Sequence, residues 1–234
     1  MTKRIAMWSG PRNISTAMMR SFESRPDTVV VDEPLYAHYL AVTGIDHPGR
    51  EHIMASQPTR WEAVAEQLTG PLPGDPAVHY QKHMTHHLLP EVGREWLGAL
   101  THAYLIRDPA QVVASYARVR GEPTLADLGY EQQVEIFRAY GGPVVDAADV
   151  LRDPAGTLGR LCEALGLGFD PAMLSWKPGP RETDGVWAPF WYAAVRASTG
   201  FAAYDPRPAV VPDRLRWLVE AAQPYYDELA VERL

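Results

Sequence analysis

Arg12, Ser15 and Thr16 stand together where an apolar run, Ile5-Ala-Met-Trp8, passes through Ser9-Gly10-Pro11 into a helix-like segment. Residues of those types at that spacing make an anion site. A helix N-terminus presents N–H groups without intrahelical acceptors and the positive end of the helix dipole, so a phosphate or sulfate is stabilised there before any side chain acts. Gly10, Pro11, Arg12, Asn13, Ile14, Ser15 and Thr16 form the candidate cradle. In a nucleoside-triphosphate P-loop a Gly-Lys pair precedes the hydroxyl; here Asn13-Ile14 takes its place, which argues against an ordinary ATP or GTP site.

A second cluster follows the same plan. Tyr104-Leu-Ile-Arg107 reads as a strand, and Asp108-Pro109 as the capped start of a helix that carries Ser115 roughly 9 Å along its axis. Ligands of open α/β sheets lie beyond the carboxyl ends of the strands, so the two clusters border one crevice. Two separated anion corners imply a ligand phosphorylated at both ends.

The elements that must position these groups alternate between strand and helix, the pattern of an α/β fold with a central parallel sheet flanked by helices. Expected strands are Arg4 to Trp8, Thr28 to Val31, Ala77 to Gln81, His102 to Ile106 and Pro143 to Asp146. In the first helix Ile14, Met18 and Phe22 face inward while Arg20 and Glu23 point outward; in the second, Val112, Val113, Tyr116 and Val119 face inward. Further helices are expected over Leu125 to Tyr140, Gly156 to Leu165 and Asp213 to Leu229. Gly44 to Thr59 reads as an irregular stretch suited to a lid, and Ser175 to Asp184 as an ordered loop.

Composition bounds the function. The 234 residues suit a single domain, and a formal net charge of −7 argues against a nonspecific nucleic-acid or membrane-surface binder. Cys162 is the only cysteine, the apolar run at the N-terminus breaks at Ser9-Gly10-Pro11, and the expected location is the cytoplasm.

With these motifs the chain resembles the sulfotransferases that use 3'-phosphoadenosine 5'-phosphosulfate (PAPS), whose fold is a P-loop NTPase-like sulfotransferase fold. The resemblance rests on Pro11-Arg-Asn-Ile-Ser-Thr16, on Arg107 with Ser115, and on Asp146-Ala-Ala-Asp-Val-Leu-Arg-Asp-Pro154 with Leu158, Leu161 and Leu165-Gly166. It implies that the Pro11 loop binds the 5'-phosphosulfate and that Arg107 and Ser115 bind the 3'-phosphate. Lys177 or Arg181, in a loop only loosely like the family's, would add to the 3'-phosphate site. The product would be adenosine 3',5'-bisphosphate, the acceptor a small-molecule hydroxyl, and no metal is required.

The same resemblance implies that Arg12 neutralises the leaving phosphate and that Lys82 approaches the sulfuryl group. The proton of the acceptor hydroxyl needs a base, and two candidates stand: Glu33 in Asp32-Glu33-Pro34 first, and His86, within the group His83, His86 and His87, second. The acceptor walls are expected from Leu35 to Trp61 and around Trp187, Phe190, Trp191 and Tyr192. The histidines near Lys82 lack paired cysteines or an HExxH helix, so a zinc site is not indicated. The alternative is a catalytically silent nucleotide-binding protein of the same fold, motivated by Asn13-Ile14.

Overall fold

The computed structural model describes residues 2–120 and 122–234, without the side chains of Val119 and Arg120. The inward placement expected of Val119 therefore lies outside the described residues. In chain order the elements are β1 (Lys3–Ser9), α1 (Ser15–Glu23), β2 (Thr28–Asp32), α2 (Tyr36–Thr43), α3 (Arg50–Ser56), α4 (Trp61–Thr69) and β3 (Val78–Met84). There follow β4 (Thr101–Ile106), α5 (Pro109–Arg120), α6 (Leu125–Leu128), α7 (Tyr130–Tyr140), β5 (Val144–Asp146), α8 (Ala147–Arg152) and α9 (Pro154–Ala164). The chain closes with α10 (Ala188–Trp191), α11 (Ala193–Ala197) and α12 (Arg216–Ala230).

The strands pair in parallel in the order β2-β3-β1-β4-β5. Central β1 is apolar on both faces because both are covered. Ile5 and Met7 pack with Phe22 of α1 and Leu158 and Leu161 of α9, whereas Ala6 and Trp8 pack with Val64 of α4, Val134 of α7 and Leu229 of α12. Cys162 is buried within the first of these layers. The chain turns to β2 on one side of β1 and later reaches β4 on the other. The carboxyl end of β1 is thus the switch point at which such sheets hold ligands.

Several elements differ from the sequence expectations. β3 runs on to Met84 instead of ending at Gln81, so Lys82 lies inside a strand, opposite Asp32 in the register of β2. The expected helix over Leu125 to Tyr140 breaks at Gly129, whose φ is 72° and whose missing Cβ would lie 2.3 Å from Thr85 Oγ1. Thr124 and Asp127 form a capping box that starts the short α6 before that break. The stretch Gly44 to Thr59 contains α3. α9 starts at Pro154 because Asp153 accepts from the Gly156 N–H, and α12 follows a 3₁₀ turn at Asp213–Leu215.

Arg20 does not point outward. It is 1% exposed and pairs with Asp184 and, at 3.3 Å, with Glu23. Thr183 also donates to Glu23, and the Arg181 N–H donates to Asp184, so helix α1 anchors the segment that leads into α10. A buried guanidinium that loses its counter-ion is strongly destabilising. Asp184→Ala is therefore expected to lower the free energy of unfolding by ~3 kcal/mol in equilibrium urea titrations, and Arg20→Met combined with Asp184→Leu to lower it by less. Equal losses in the single and double variants would contradict the pairing.

Candidate active site

The turn between β1 and α1 solves a backbone problem without the expected glycine. Gly10 is the one position where a side chain has no room, since a Cβ there would sit 2.5 Å from the Leu128 carbonyl oxygen at the end of α6. The left-handed step falls on Arg12, with φ 55°, a conformation that costs a non-glycine residue on the order of 1 kcal/mol. Asn13 fastens the loop: its Nδ2 donates to the Leu105 carbonyl at 3.0 Å, and its Oδ1 accepts from the Ile14 N–H at 2.9 Å. Ile14 then starts α1 with no side-chain cap and no acidic residue in the first turn. The first amides of the helix are left to whatever occupies the cavity lined by Pro11 to Ala17.

Arg107 leaves the end of β4 and donates through Nη1 to the Arg12 carbonyl, while its own carbonyl accepts from Tyr130 at 2.6 Å. The Arg12 side chain donates through Nε to Ser115 Oγ at 3.1 Å. Arg12, Arg107 and Ser115 therefore share one corner; the sequence had put Arg12 at the other end from Arg107. Burial lowers the pKa of both arginines, and like charge adds to this, from Arg118 on Arg12 and from Arg12 on Arg107. Guanidinium groups remain charged all the same, and with the open end of α1 they create a field that stabilises an anion.

On the other side of β1 the carboxyl ends of β2 and β3 meet around Lys82. Its ammonium is 1% exposed and donates to Asp32 Oδ1 at 2.8 Å, to Tyr192 Oη at 2.9 Å and to Glu33 Oε1. Tyr192 in turn donates to Asp32 Oδ2 at 2.7 Å and accepts from Trp187 Nε1 at 3.0 Å. The Gly185 N–H also donates to Asp32 Oδ2, at 3.1 Å. Burial alone would push Lys82 down, yet Asp32 and Glu33 hold it above the ordinary lysine value. Burial pushes Glu33 up, aided by the Asp32 charge and opposed by Lys82 and Tyr192. Its backbone is held at φ 39° by its own N–H to the Lys82 carbonyl and by Gln57, which donates to the Glu33 carbonyl.

One cavity of about 370 Å³ joins these groups. It is lined by Pro11 to Ala17, Arg107 and Ser115 at one end, and by Glu33, Lys82, Tyr36, Tyr39, His86 and His87 among others at the other. Of the expected aromatic wall, Trp191 and Tyr192 reach the cavity, Trp187 is buried behind Tyr192, and Phe190 is half exposed. Lys177 and Arg181 are not brought there. Arg181 donates to the Lys177 carbonyl and lies 3.9 Å from Glu23, on the flank of α1. His83 is also turned away: it stacks on Trp8 and bonds to Gln81. Among the described residues no cluster of His, Cys, Asp or Glu side chains suits a metal ion.

An anion corner, a buried ammonium and a carboxyl group with a raised pKa on one cavity are the parts needed to hold a phosphorylated donor and take a proton from a nucleophile. Sequence alone assigned Asp32 no role and Tyr192 only a place in the acceptor wall, and it did not single out Gln57. Asp32 was legible as the neighbour of Glu33, but the bonds of Tyr192 to Lys82 and Asp32, and of Gln57 to the Glu33 carbonyl, come from distant segments and have no local signal.

A family model described as a sulfotransferase domain matches residues 3–232. Two Arabidopsis thaliana proteins, branched-chain-amino-acid aminotransferase-like proteins 1 and 2, are 38% and 34% identical to the chain over 230 residues, 96% of its length. The chain spans 41% of the length of each. Among solved structures, the sulfotransferase domain from the curacin biosynthetic pathway is similar with a TM-score of 0.55 at 16% identity, covering 100% of this chain and 99% of that one. A sulfotransferase from Alicyclobacillus acidocaldarius gives 0.55 at 13% identity, covering 99% and 95%. At those identities the likeness speaks for the fold.

The buried histidines make the fold sensitive to acid. Burial lowers His83 from the ordinary 6.5 to about 3 and His79 to about 4. Between those values and 6.5 only the unfolded chain takes up the proton, so this stability is present above pH 6.5 and is lost as the pH falls. His83→Gln is expected to reduce the slope of unfolding free energy between pH 6 and pH 4.5 by about 1.4 kcal/mol per pH unit. Urea titrations across that range measure it, and an unchanged slope would place the proton elsewhere.

Proposed function

The chain belongs to the sulfotransferase domain family, and from that membership we propose that it transfers a sulfuryl group from PAPS to a hydroxyl of a small-molecule acceptor. The observation that carries this reading is the single cavity that joins the Arg12, Arg107 and Ser115 corner and the open end of α1 to Lys82 and Glu33. When bound, PAPS supplies the sulfuryl group and leaves as adenosine 3',5'-bisphosphate. Arg12, Arg107 and Ser115 hold one phosphate, and the first amides of α1 with the Ser15 and Thr16 hydroxyls hold the other. Arg12 thus serves the corner of Ser115, and Lys177 and Arg181 have no part in the site.

Glu33 takes the proton of the acceptor hydroxyl. Burial raises its affinity for that proton, which brings its pKa closer to the working pH of a base. Lys82 opposes negative charge beside Glu33, and Asp32 remains its counter-ion when Glu33 becomes neutral. Tyr192 keeps both in place by bonding to each. His86 lines the same cavity and is kept as the second candidate base. The silent alternative rested on Asn13-Ile14; the bridge from Asn13 to Leu105 accounts for that departure without loss of the cradle.

Binding and chemistry separate experimentally. Adenosine 3',5'-bisphosphate is expected to raise the melting temperature well above the effect of equimolar ATP, and Arg107→Ala to remove most of that rise. An equal response to ATP would reject the donor. Glu33→Gln is expected to lower transfer of labelled sulfate to an alcohol panel by at least ~100-fold while keeping the bisphosphate response. Full turnover by that variant would move the base to another residue.

A further inference from the structure

The family resemblance puts Lys82 on the sulfuryl group, but its bonds run elsewhere. An ammonium has three N–H donors and no acceptor, and Lys82 gives one each to Asp32 Oδ1, Glu33 Oε1 and Tyr192 Oη. Those acceptors are themselves engaged. Tyr192 Oη also accepts from Trp187 Nε1 and donates to Asp32 Oδ2, which takes the Gly185 N–H as well. To reach a sulfuryl oxygen the ammonium must abandon one of these partners and leave it short of a hydrogen bond inside the protein.

Exposure separates the two residues. The Lys82 side chain is 1% exposed and that of Glu33 11%. Glu33 Oε1 is held by Lys82, whereas Oε2 enters none of these bonds and keeps contact with solvent. The carboxyl group, and not the ammonium, has an atom to offer a ligand. At the start of α1, the uncapped amides oppose charge on the donor without Lys82.

Resting on the donor reading above, we infer that Lys82 is a positioning residue that holds Glu33 by Oε1, leaves Oε2 to the acceptor hydroxyl and makes no bond to the sulfuryl group. In the transfer the acceptor oxygen bonds to sulfur and its proton goes to Glu33 Oε2. The electron pair of the broken S–O bond stays on the 5'-phosphate, whose charge the α1 amides and the Ser15 and Thr16 hydroxyls oppose. Lys82 keeps Glu33 ionised until that proton arrives.

Glu33 is faced by Asp32 from β2, Lys82 from β3 and Tyr192 from the end of α10. Tyr36, Tyr39 and His47 line the same cavity from α2 and the loop after it, and His86 and His87 from the turn after β3. Burial pushes Glu33 up, Lys82 opposes this and Asp32 adds to it, so loss of the ammonium moves Glu33 further up.

The test uses the full chain with 13C-labelled glutamate carboxyl groups, the Glu33 signal being assigned by Glu33→Gln. Lys82→Met is expected to raise the Glu33 titration midpoint by roughly 1–3 pH units, and Asp32→Asn added to it to bring the midpoint part of the way back. Transfer to an alcohol by Lys82→Met is expected to recover as the pH passes the new midpoint. The second readout is affinity for PAPS against adenosine 3',5'-bisphosphate, whose 5' ends carry similar charge above pH 7. Lys82→Met is expected to change both Kd values by the same factor, within about 2-fold, whereas loss of a bond to the sulfuryl group would weaken PAPS alone by ~10-fold or more. Where Lys82→Met does not fold, the double variant, which buries no unpaired Asp32 charge, carries the same readouts, its midpoint still above that of the wild type. An unmoved midpoint, a selective loss of PAPS affinity or a loss of transfer equal at every pH would overturn the inference and leave the donor reading standing. A wild-type chain that does not respond to the bisphosphate would overturn the donor reading and this inference with it.

Discussion

A lysine ammonium buried to 1% exposure must be compensated, and most of this site is arranged to do so. The parallel register of β2 and β3 sets Asp32 opposite Lys82, which brings the first counter-ion. The left-handed turn at Glu33 brings the second, and Tyr192 arrives from the far end of the chain to close the group. The rest follows from keeping these partners in place. Gly185 donates to Asp32, Trp187 donates to Tyr192, and the buried pair of Arg20 and Asp184 fixes that whole segment to α1. The helix that presents its N-terminus to the anion corner is thus the one that anchors the strap carrying Tyr192.

The loop between β1 and α1 is held by contacts that do not need the glycine absent at Asn13-Ile14. A glycine usually supplies the left-handed step, and here Arg12 makes it at some conformational cost. Asn13 compensates by tying the loop to the end of β4, and Gly10 keeps the one position where α6 leaves no room for a side chain. Arg12 donates to Ser115 and Arg107 to the Arg12 carbonyl, so three donors gather beside an uncapped helix end.

Much of this was legible from local pattern. All the strands but the third announced themselves as short apolar runs ending in polar residues, and Asp108-Pro109 marked a helix start that the structure keeps, with Asp108 accepting from the Gln111 N–H. Arg107, Glu33 and Lys82 stood out at the ends of expected strands and Ser115 by its spacing from Arg107 along the next helix, and the structure gathers all four on one cavity. What escaped has a common physical character. Arg20 read as a surface residue because its partner Asp184 is 164 positions away, and Tyr192 read as one of several aromatics because Lys82 is 110 positions away. Lys177 and Arg181 were assigned by a loose resemblance in a loop whose contacts run to α1 instead. Long-range pairing of polar groups leaves no periodicity in the sequence, whereas strands and caps do.

The central claim is that one cavity holds a bis-phosphorylated nucleotide between the α1 N-terminus and Arg107, with Glu33 and Lys82 at its reacting end. A crystal structure of the chain with adenosine 3',5'-bisphosphate tests it most directly. The account predicts one phosphate on the first amides of α1 and the other against Arg12, Arg107 and Ser115, with the nucleotide lying along the cavity toward Lys82. A nucleotide bound away from Arg107, or with neither phosphate at the start of α1, would contradict it.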